Sequence, residues 1–212
     1  MKGMFITVEG PDGSGKTTQL QLLVQSLTEQ GYEVVVTREP GGTKVGNSIR
    51  EVLLSPEHDE MTPRVEMMLY AASRAQNIDQ VIRPALHRGA VVVCDRFVDA
   101  SIAYQGYGLQ YDLSQILSLN DWATAGIKPD LTFLFDLTPD QASHRMKDRG
   151  QLDRIESRDE SFHQRVYEGF QLLLEQHPER MVRIDANASI ETIQDEVLDI
   201  TLERLKERGV MQ

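Results

Sequence analysis

Cysteine is almost absent from this chain. Cys94 is the only one in 212 residues, so no internal disulfide can form. No run of about 18 uncharged apolar residues occurs, which excludes a bilayer-spanning helix of the usual length. Positive charge is in deficit, with 22 basic side chains against 33 acidic ones and a formal net charge of −11. That balance is the reverse of the footprint left by proteins that track a nucleic-acid backbone, so neither a nucleic-acid nor a membrane partner is expected. The opening residues Met1-Lys2-Gly3-Met4-Phe5-Ile6 hold no long apolar stretch ahead of a small-residue cleavage site, and with the lone cysteine this leads us to expect a reducing, cytoplasmic setting. Repeats, low-complexity tracts and Pro/Gly/Ser linkers are missing as well, so a single domain over residues 1–212 is expected.

What is present is a series of short apolar runs rich in β-branched residues: Phe5 to Val8, Val34 to Thr37, Val91 to Cys94, Leu131 to Phe135 and Val182 to Ile184. Longer segments of helical period separate them, and strands this apolar are expected to be covered by helices on both faces of a parallel sheet. Ligands of such α/β folds lie off the carboxyl ends of the strands. Three helices place motifs. One follows Gly15 and carries Leu20, Leu23, Val24 and Leu27 on one face. A second starts at Pro63 and is expected to end before Pro84; its apolar face holds Val65, Met68, Leu69, Ala72 and Ala75, and its other face Glu66, Tyr70 and Arg74. The last, capped by Ser189, repeats Ile190, Ile193, Val197 and Ile200 and covers the sheet or faces a subunit. Met61, Met67 and Met68 are expected to fill core space. His58, His87, His144, His163 and His177 show no metal-ligand spacing.

Gly10-Pro11-Asp12-Gly13-Ser14-Gly15-Lys16-Thr17 fits G-x-x-x-x-G-K-[ST] between an apolar strand and an amphipathic helix. Its glycines let successive amides turn inward, the helix adds its positive end, and the lysine ammonium reaches the β and γ phosphates. ATP is the expected ligand of Gly10 to Thr17 and Thr18, with magnesium held by Thr17 directly or through water. Sixteen of the 22 basic residues are arginine, the side chain suited to bidentate phosphate contacts. Arg38 and Arg96 each follow a strand, which points to a second anion site beside the loop. Asp95 either orients magnesium, as the second carboxylate of such enzymes does, or is a buried structural acid.

Taken together these residues resemble the bacterial thymidylate kinases. The match extends from Val8-Glu9-Gly10 through Thr37-Arg38-Glu39-Pro40-Gly41-Gly42-Thr43, Ala71-Ala72-Ser73-Arg74-Ala75-Gln76, Asp95-Arg96-Phe97 and Ala103-Tyr104-Gln105-Gly106 to Arg149-Gly150-Gln151-Leu152-Asp153-Arg154-Ile155-Glu156. The resemblance implies a P-loop kinase fold with a five-stranded parallel sheet, a homodimer, and transfer of the ATP γ-phosphoryl group to dTMP, giving dTDP. It implies that Tyr70 stacks on thymine, Arg74 donates to O4, Ser101 faces N3, Tyr104 sits where a ribose 2′-hydroxyl would collide, and Gln105 lies with the acceptor. Asp12 then accepts the sugar 3′-OH and approaches magnesium, and Arg38 and Arg96 take the acceptor phosphate. Since the phosphate loop itself carries no arginine, Lys16, Arg96, Arg149 and Arg154 are the expected catalytic cations, the last two from a mobile lid over about residues 146–160. Arg158 also lies in that lid, and its three arginines are not ranked; a solvated charged loop is the other account of the segment. Ala100, Ser73, Asn47 and Leu109 depart from the family pattern, Leu109 most, because many relatives place an arginine there. Residues alone leave two rivals, a kinase for another deoxynucleoside monophosphate and an ATP-hydrolysing switch.

Overall fold

The computed structural model describes residues 2–146 and 153–211. Five strands, β1 (Met4–Glu9), β2 (Val34–Arg38), β3 (Val91–Asp95), β4 (Leu131–Asp136) and β5 (Met181–Asp185), pair in parallel in the order β2-β3-β1-β4-β5. The helices between and after them are α1 (Lys16–Glu29), α2 (Lys44–Leu54), α3 (Pro63–Asn77), α4 (Arg83–Arg88), α5 (Val98–Ser101), α6 (Leu113–Thr124), α7 (Pro139–Met146), α8 (Glu160–Gln176) and, following β5, α9 (Ile190–Arg208). None of the described helices is long and apolar enough to cross a membrane.

Alternation along the strands sorts the core into layers. Met4, Ile6, Val8, Val91, Val93 and Phe133 face α1 and α9, where Leu23, Leu27, Ile193, Val197 and Leu205 cover them. Phe5, Val92 and Cys94 face the opposite way, against Ile78, Ile82 and Leu86. Burial on both faces holds for the three inner strands. The edge strands β2 and β5 depart from the expectation, since nothing pairs beyond them: Val36 is 48 % exposed.

The second predicted helix differs from its reading in two ways. It does not stop before Pro84. Residues Ile78–Ile82 widen to a π-helical turn in which the Arg83 amide donates to Ile78 O, five residues back, so the chain passes a proline that would leave an α-helical carbonyl without a donor. Its facing is also reversed. Glu66, Ser73, Arg74 and Asn77 are buried, whereas Val65 and Met68 are 46 % and 54 % exposed. Met68 therefore does not fill the core, although Met67 does. Buried polar partners, described below, outweigh the hydrophobic pattern on this helix.

Register brings the motif-bearing ends together. Val8 of β1 and Arg38 of β2 both pair with Asp95 of β3, so the residues following all three strands open onto one rim.

Candidate active site

Gly10 ends β1 with φ 131°, and a Cβ there would lie 2.5 Å from Phe135 O, so only glycine lets the loop leave the sheet. Gly15 precedes α1 with no side-chain cap, which leaves the helix amides free for an anion. Lys16 is buried and its Nζ donates to Pro11 O at 2.6 Å, with Asp12 Oδ1 4.0 Å away. Burial first, then repulsion from Arg96, pulls its pKa down to about 8. Ser14 Oγ donates to the same Pro11 carbonyl at 2.8 Å. Thr17 and Thr18 are exposed at the start of α1, and Thr17 lines the cleft with Asp95.

That cleft is about 650 Å³ and lies off the ends of β1, β2 and β3. Arg96 adopts φ 66°, an uncommon value for a residue with a side chain, and this turn carries its guanidinium to Asp12 (Nη2 to Oδ1, 3.1 Å) and over the Tyr104 ring at 5.1 Å. Its Nη1 is buried without a hydrogen-bond partner among the described residues. Arg38 is exposed on the same wall and joins no ion pair with a described residue. Arg50 of α2, which sequence reasoning missed, stands there too, donating to Pro40 O at 3.1 Å. Burial and then repulsion from Arg38 hold its pKa below the usual arginine value. A lone arginine on an amphipathic helix gives no signal in sequence, and only the fold brings Arg38, Arg50 and Arg96 to one cleft, where Arg96 pairs with Asp12.

The residues expected to face the base, Tyr70, Arg74 and Ser101, line one cleft, and Arg74 is tightly held within it. Arg74 is 1 % exposed. Its Nε donates to Glu39 Oε2 at 2.6 Å, Nη1 to Ser101 Oγ at 3.1 Å and to Asn120 Oδ1, and Nη2 to Phe97 O at 3.0 Å. Four partners occupy four of the five N–H groups of a guanidinium, leaving a single Nη2 proton for a ligand. Asn77 Nδ2 donates to Glu39 Oε1 at 3.2 Å, and Thr37 Oγ1 to Asn77 Oδ1 at 2.7 Å, so the network runs from β2 through α3 to α6. Glu39 and Asn120 were not singled out from sequence, though Glu39 sits inside the Arg-Glu-Pro block. Tyr70 and Ser101 line the same cleft, and burial raises the Tyr70 phenol pKa well above its usual value.

Tyr104 and Gln105 lie in a second π-helical turn, Ile102–Gly108, where the Leu109 amide donates to Tyr104 O at 3.0 Å. Widened turns of this kind recur at functional sites. The Tyr104 ring packs edge-on to Phe162 and Phe170 of α8, and burial pushes its pKa up to about 12. Leu109, the largest departure from the family pattern, packs against this apolar cluster. A second cavity of about 700 Å³, between β4, α7 and α8, shares Asp12, Tyr104, Ile155 and Glu156 with the first.

Glu9 Oε2 and Asp95 Oδ1, carboxylate oxygens at the strand ends, are buried without hydrogen-bond partners among the described residues. An orphaned Asp95 oxygen in the cleft that Thr17 also lines supplies hard-oxygen donors of the kind that fit magnesium or its waters. Among the described residues no three His, Cys, Asp or Glu side chains gather as a cage for a metal. Glu9 accepts from Phe97 N at 2.7 Å through its other oxygen, and burial, then Asp99, raises its pKa to about 8.

The lid residues divide. Arg149 lies outside the described residues. Arg154 is not turned to the phosphate loop: it is buried, with Nε donating to Leu53 O at 2.8 Å and Nη2 standing 2.7 Å from Glu66 Oε2. Arg145, outside the expected set, bridges the loop to the chain after β5 by donating to Gly13 O at 3.3 Å and Ala186 O at 3.0 Å.

Known proteins resemble this chain along nearly its whole length. A family model described as thymidylate kinase matches residues 8–197. A protein named thymidylate kinase from Exiguobacterium sp. (strain AT1b) is 78 % identical over 212 residues, covering 100 % of each chain. Another of that name from Exiguobacterium sibiricum is 59 % identical over 208 residues, covering 98 % of each. A crystal structure of thymidylate kinase from Ehrlichia chaffeensis superposes with a TM-score of 0.78 at 35 % identity, covering 95 % of this chain and 99 % of that one.

Proposed function

The chain belongs to the thymidylate kinase family, and on that premise we propose that the loop after β1 and the arginine cluster beside it are the donor and acceptor halves of one active site. The enzyme phosphorylates dTMP to dTDP with ATP and Mg²⁺. One observation carries the residue assignment: Arg38, Arg50 and Arg96 repel one another across an open cleft that faces the phosphate loop, and an acceptor phosphate relieves that repulsion.

On this reading Lys16 leaves the Pro11 carbonyl for the ATP phosphates, and the loop amides and the first turn of α1 bind them. Arg96 holds the acceptor phosphate in line with its free Nη1, helped by Arg38 and Arg50. Arg74 spends its remaining proton on thymine O4, while Tyr70 covers the ring, Ser101 and Gln105 face its edge, and Asp12 and Tyr104 fix the sugar. Magnesium, when bound, neutralises phosphate charge, and Thr17 and Asp95 are the side chains to hold it or its waters. No general base is needed, because the acceptor phosphate is already anionic near neutral pH. Residues 1–212 act as one kinase domain in the cytoplasm. The protein works as a homodimer, supported by the exposed apolar residues Val52, Val65, Met68, Leu117 and Trp122 on α2, α3 and α6, helices that pack side by side.

A coupled ADP-release assay across the common nucleoside monophosphates tests this. Turnover should be fastest with dTMP; faster turnover with uridylate, cytidylate or guanylate contradicts the base assignment, and ATPase activity indifferent to every monophosphate contradicts the acceptor site.

A further inference from the structure

Glu66 is fully buried on α3, on the helix face that carries Tyr70 and Arg74, yet the reaction as derived above gives it no part. Both of its oxygens are engaged. Oε1 accepts from Gln105 Nε2 at 2.9 Å, and Oε2 accepts from Arg158 Nη2 at 2.7 Å. The same Oε2 stands 2.7 Å from Arg154 Nη2, an ion pair without a formed hydrogen bond. Arg154 is tied a second time: its Nε donates to Leu53 O at 2.8 Å and its backbone amide to Leu54 O at 3.2 Å, two of the last carbonyls of α2. Arg158 lies over the Phe162 ring at 4.8 Å.

Glu66 is the one carboxylate paired with both guanidinium groups, and Asp153 and Glu156 stand on the same segment beside the acceptor cleft. Buried ionic clusters are poor devices for stability alone, because apolar side chains of the same volume do as well. What this one joins suggests its use. Gln105 belongs to the acceptor wall, and Asp153, Ile155 and Glu156, which flank Arg154, line the same cleft. A single side chain thus links the acceptor pocket to the segment that carries two of the three lid arginines.

We propose that Glu66 is a positioning residue for phosphoryl transfer, which sets Gln105 and residues 153–158 in register so that acceptor binding and placement of the lid arginines occur together. It touches neither substrate. Arg154 acts as the anchor of this segment, and Arg158 as the arginine whose position the carboxylate controls. The inference rests on the kinase reading above, but its structural half is measurable without turnover.

Glu66→Gln keeps the shape and an acceptor for Gln105 while removing the charge. Its kcat/KM for dTMP should fall at least tenfold, with affinity for ATP alone unchanged, because no donor-loop residue contacts Glu66. Glu66→Asp, which restores the charge, should recover part of the loss. Combining Glu66→Gln with Arg158→Gln should cost no more than the worse single variant, since both cut one contact. Independently, trypsin cleavage after Arg154 and Arg158 should quicken at least tenfold in Glu66→Gln, a result that holds even if the wild type were to phosphorylate a different monophosphate or none. Losses that multiply in the double variant, or a Glu66→Gln enzyme that is less heat-stable but within twofold of wild type in kcat/KM for dTMP and in cleavage rate, overturn the proposal. If Glu66→Gln does not fold, Arg158→Gln, a substitution nearer the surface, serves alone: a lowered kcat/KM for dTMP supports the proposal and unchanged kinetics overturn it.

Discussion

Lys16 and Arg96 illustrate how much a single side chain owes to its surroundings. In the free protein the Lys16 ammonium rests on a loop carbonyl with its pKa depressed to about 8. A phosphate ligand requires the charged form, so above about pH 8 binding must return a proton to Lys16. ATP affinity should therefore decline as pH rises beyond that value, with about one proton taken up near pH 9. Calorimetry in two buffers of different ionisation enthalpy reads this directly, and an affinity flat across the range would refute it. Lys16→Ala should lower kcat by about a hundredfold or more with an unchanged circular dichroism spectrum. Arg96→Ala should raise KM for dTMP and lower kcat; a change confined to KM for ATP removes Arg96 from the acceptor half. On the proposed reading Arg74 combines recognition with structure. Arg74→Ala leaves the buried Glu39 without its countercharge and should cost about 3–5 kcal/mol in urea unfolding, besides loss of dTMP binding. Lys16, Arg38, Arg74 and Arg96 were legible in sequence because each sits in a motif or at a strand end. Arg50, Glu39 and Asn120 were not, since their roles come from contacts with residues distant along the chain.

Among the elements, α3 is the one that hydrophobic periodicity misjudges. Its apolar residues Val65 and Met68 face outward and its charged residues Glu66 and Arg74 inward, because the inner face is committed to a ligand cleft and to buried ion pairs rather than to a core. Periodicity reports which face is apolar, not which neighbour covers it. In the proposed homodimer the outward face is the seat of the subunit contact, so Met68→Glu should convert the dimer to monomers in sedimentation velocity. An unchanged sedimentation coefficient places the interface elsewhere. Proline misleads for a related reason: Pro84 signals a helix end, but a π turn at Ile78–Ile82 absorbs the missing donor, and the chain continues into α4. The strands, by contrast, were placed nearly to the residue, because β-branched runs bounded by turn residues have few other outcomes.

Over the whole molecule the five-stranded parallel sheet was expected, but the strand order was not readable, since nothing local to β1 says that β3 rather than β2 lies beside it. That order matters for function. Placing β3 between β1 and β2 brings Arg96 between the phosphate loop and Arg38, and gathers positive charge at one rim of a chain whose net charge is −11. The central claim is that two nucleotides meet end to end at this rim. Binding of one molecule that joins adenosine and thymidine through their 5′ oxygens by a polyphosphate bridge tests it most directly. Such a compound should displace ATP and dTMP competitively at the same concentration and bind more tightly than either. Competition with only one of the two substrates, the other binding undisturbed alongside it, would contradict the account.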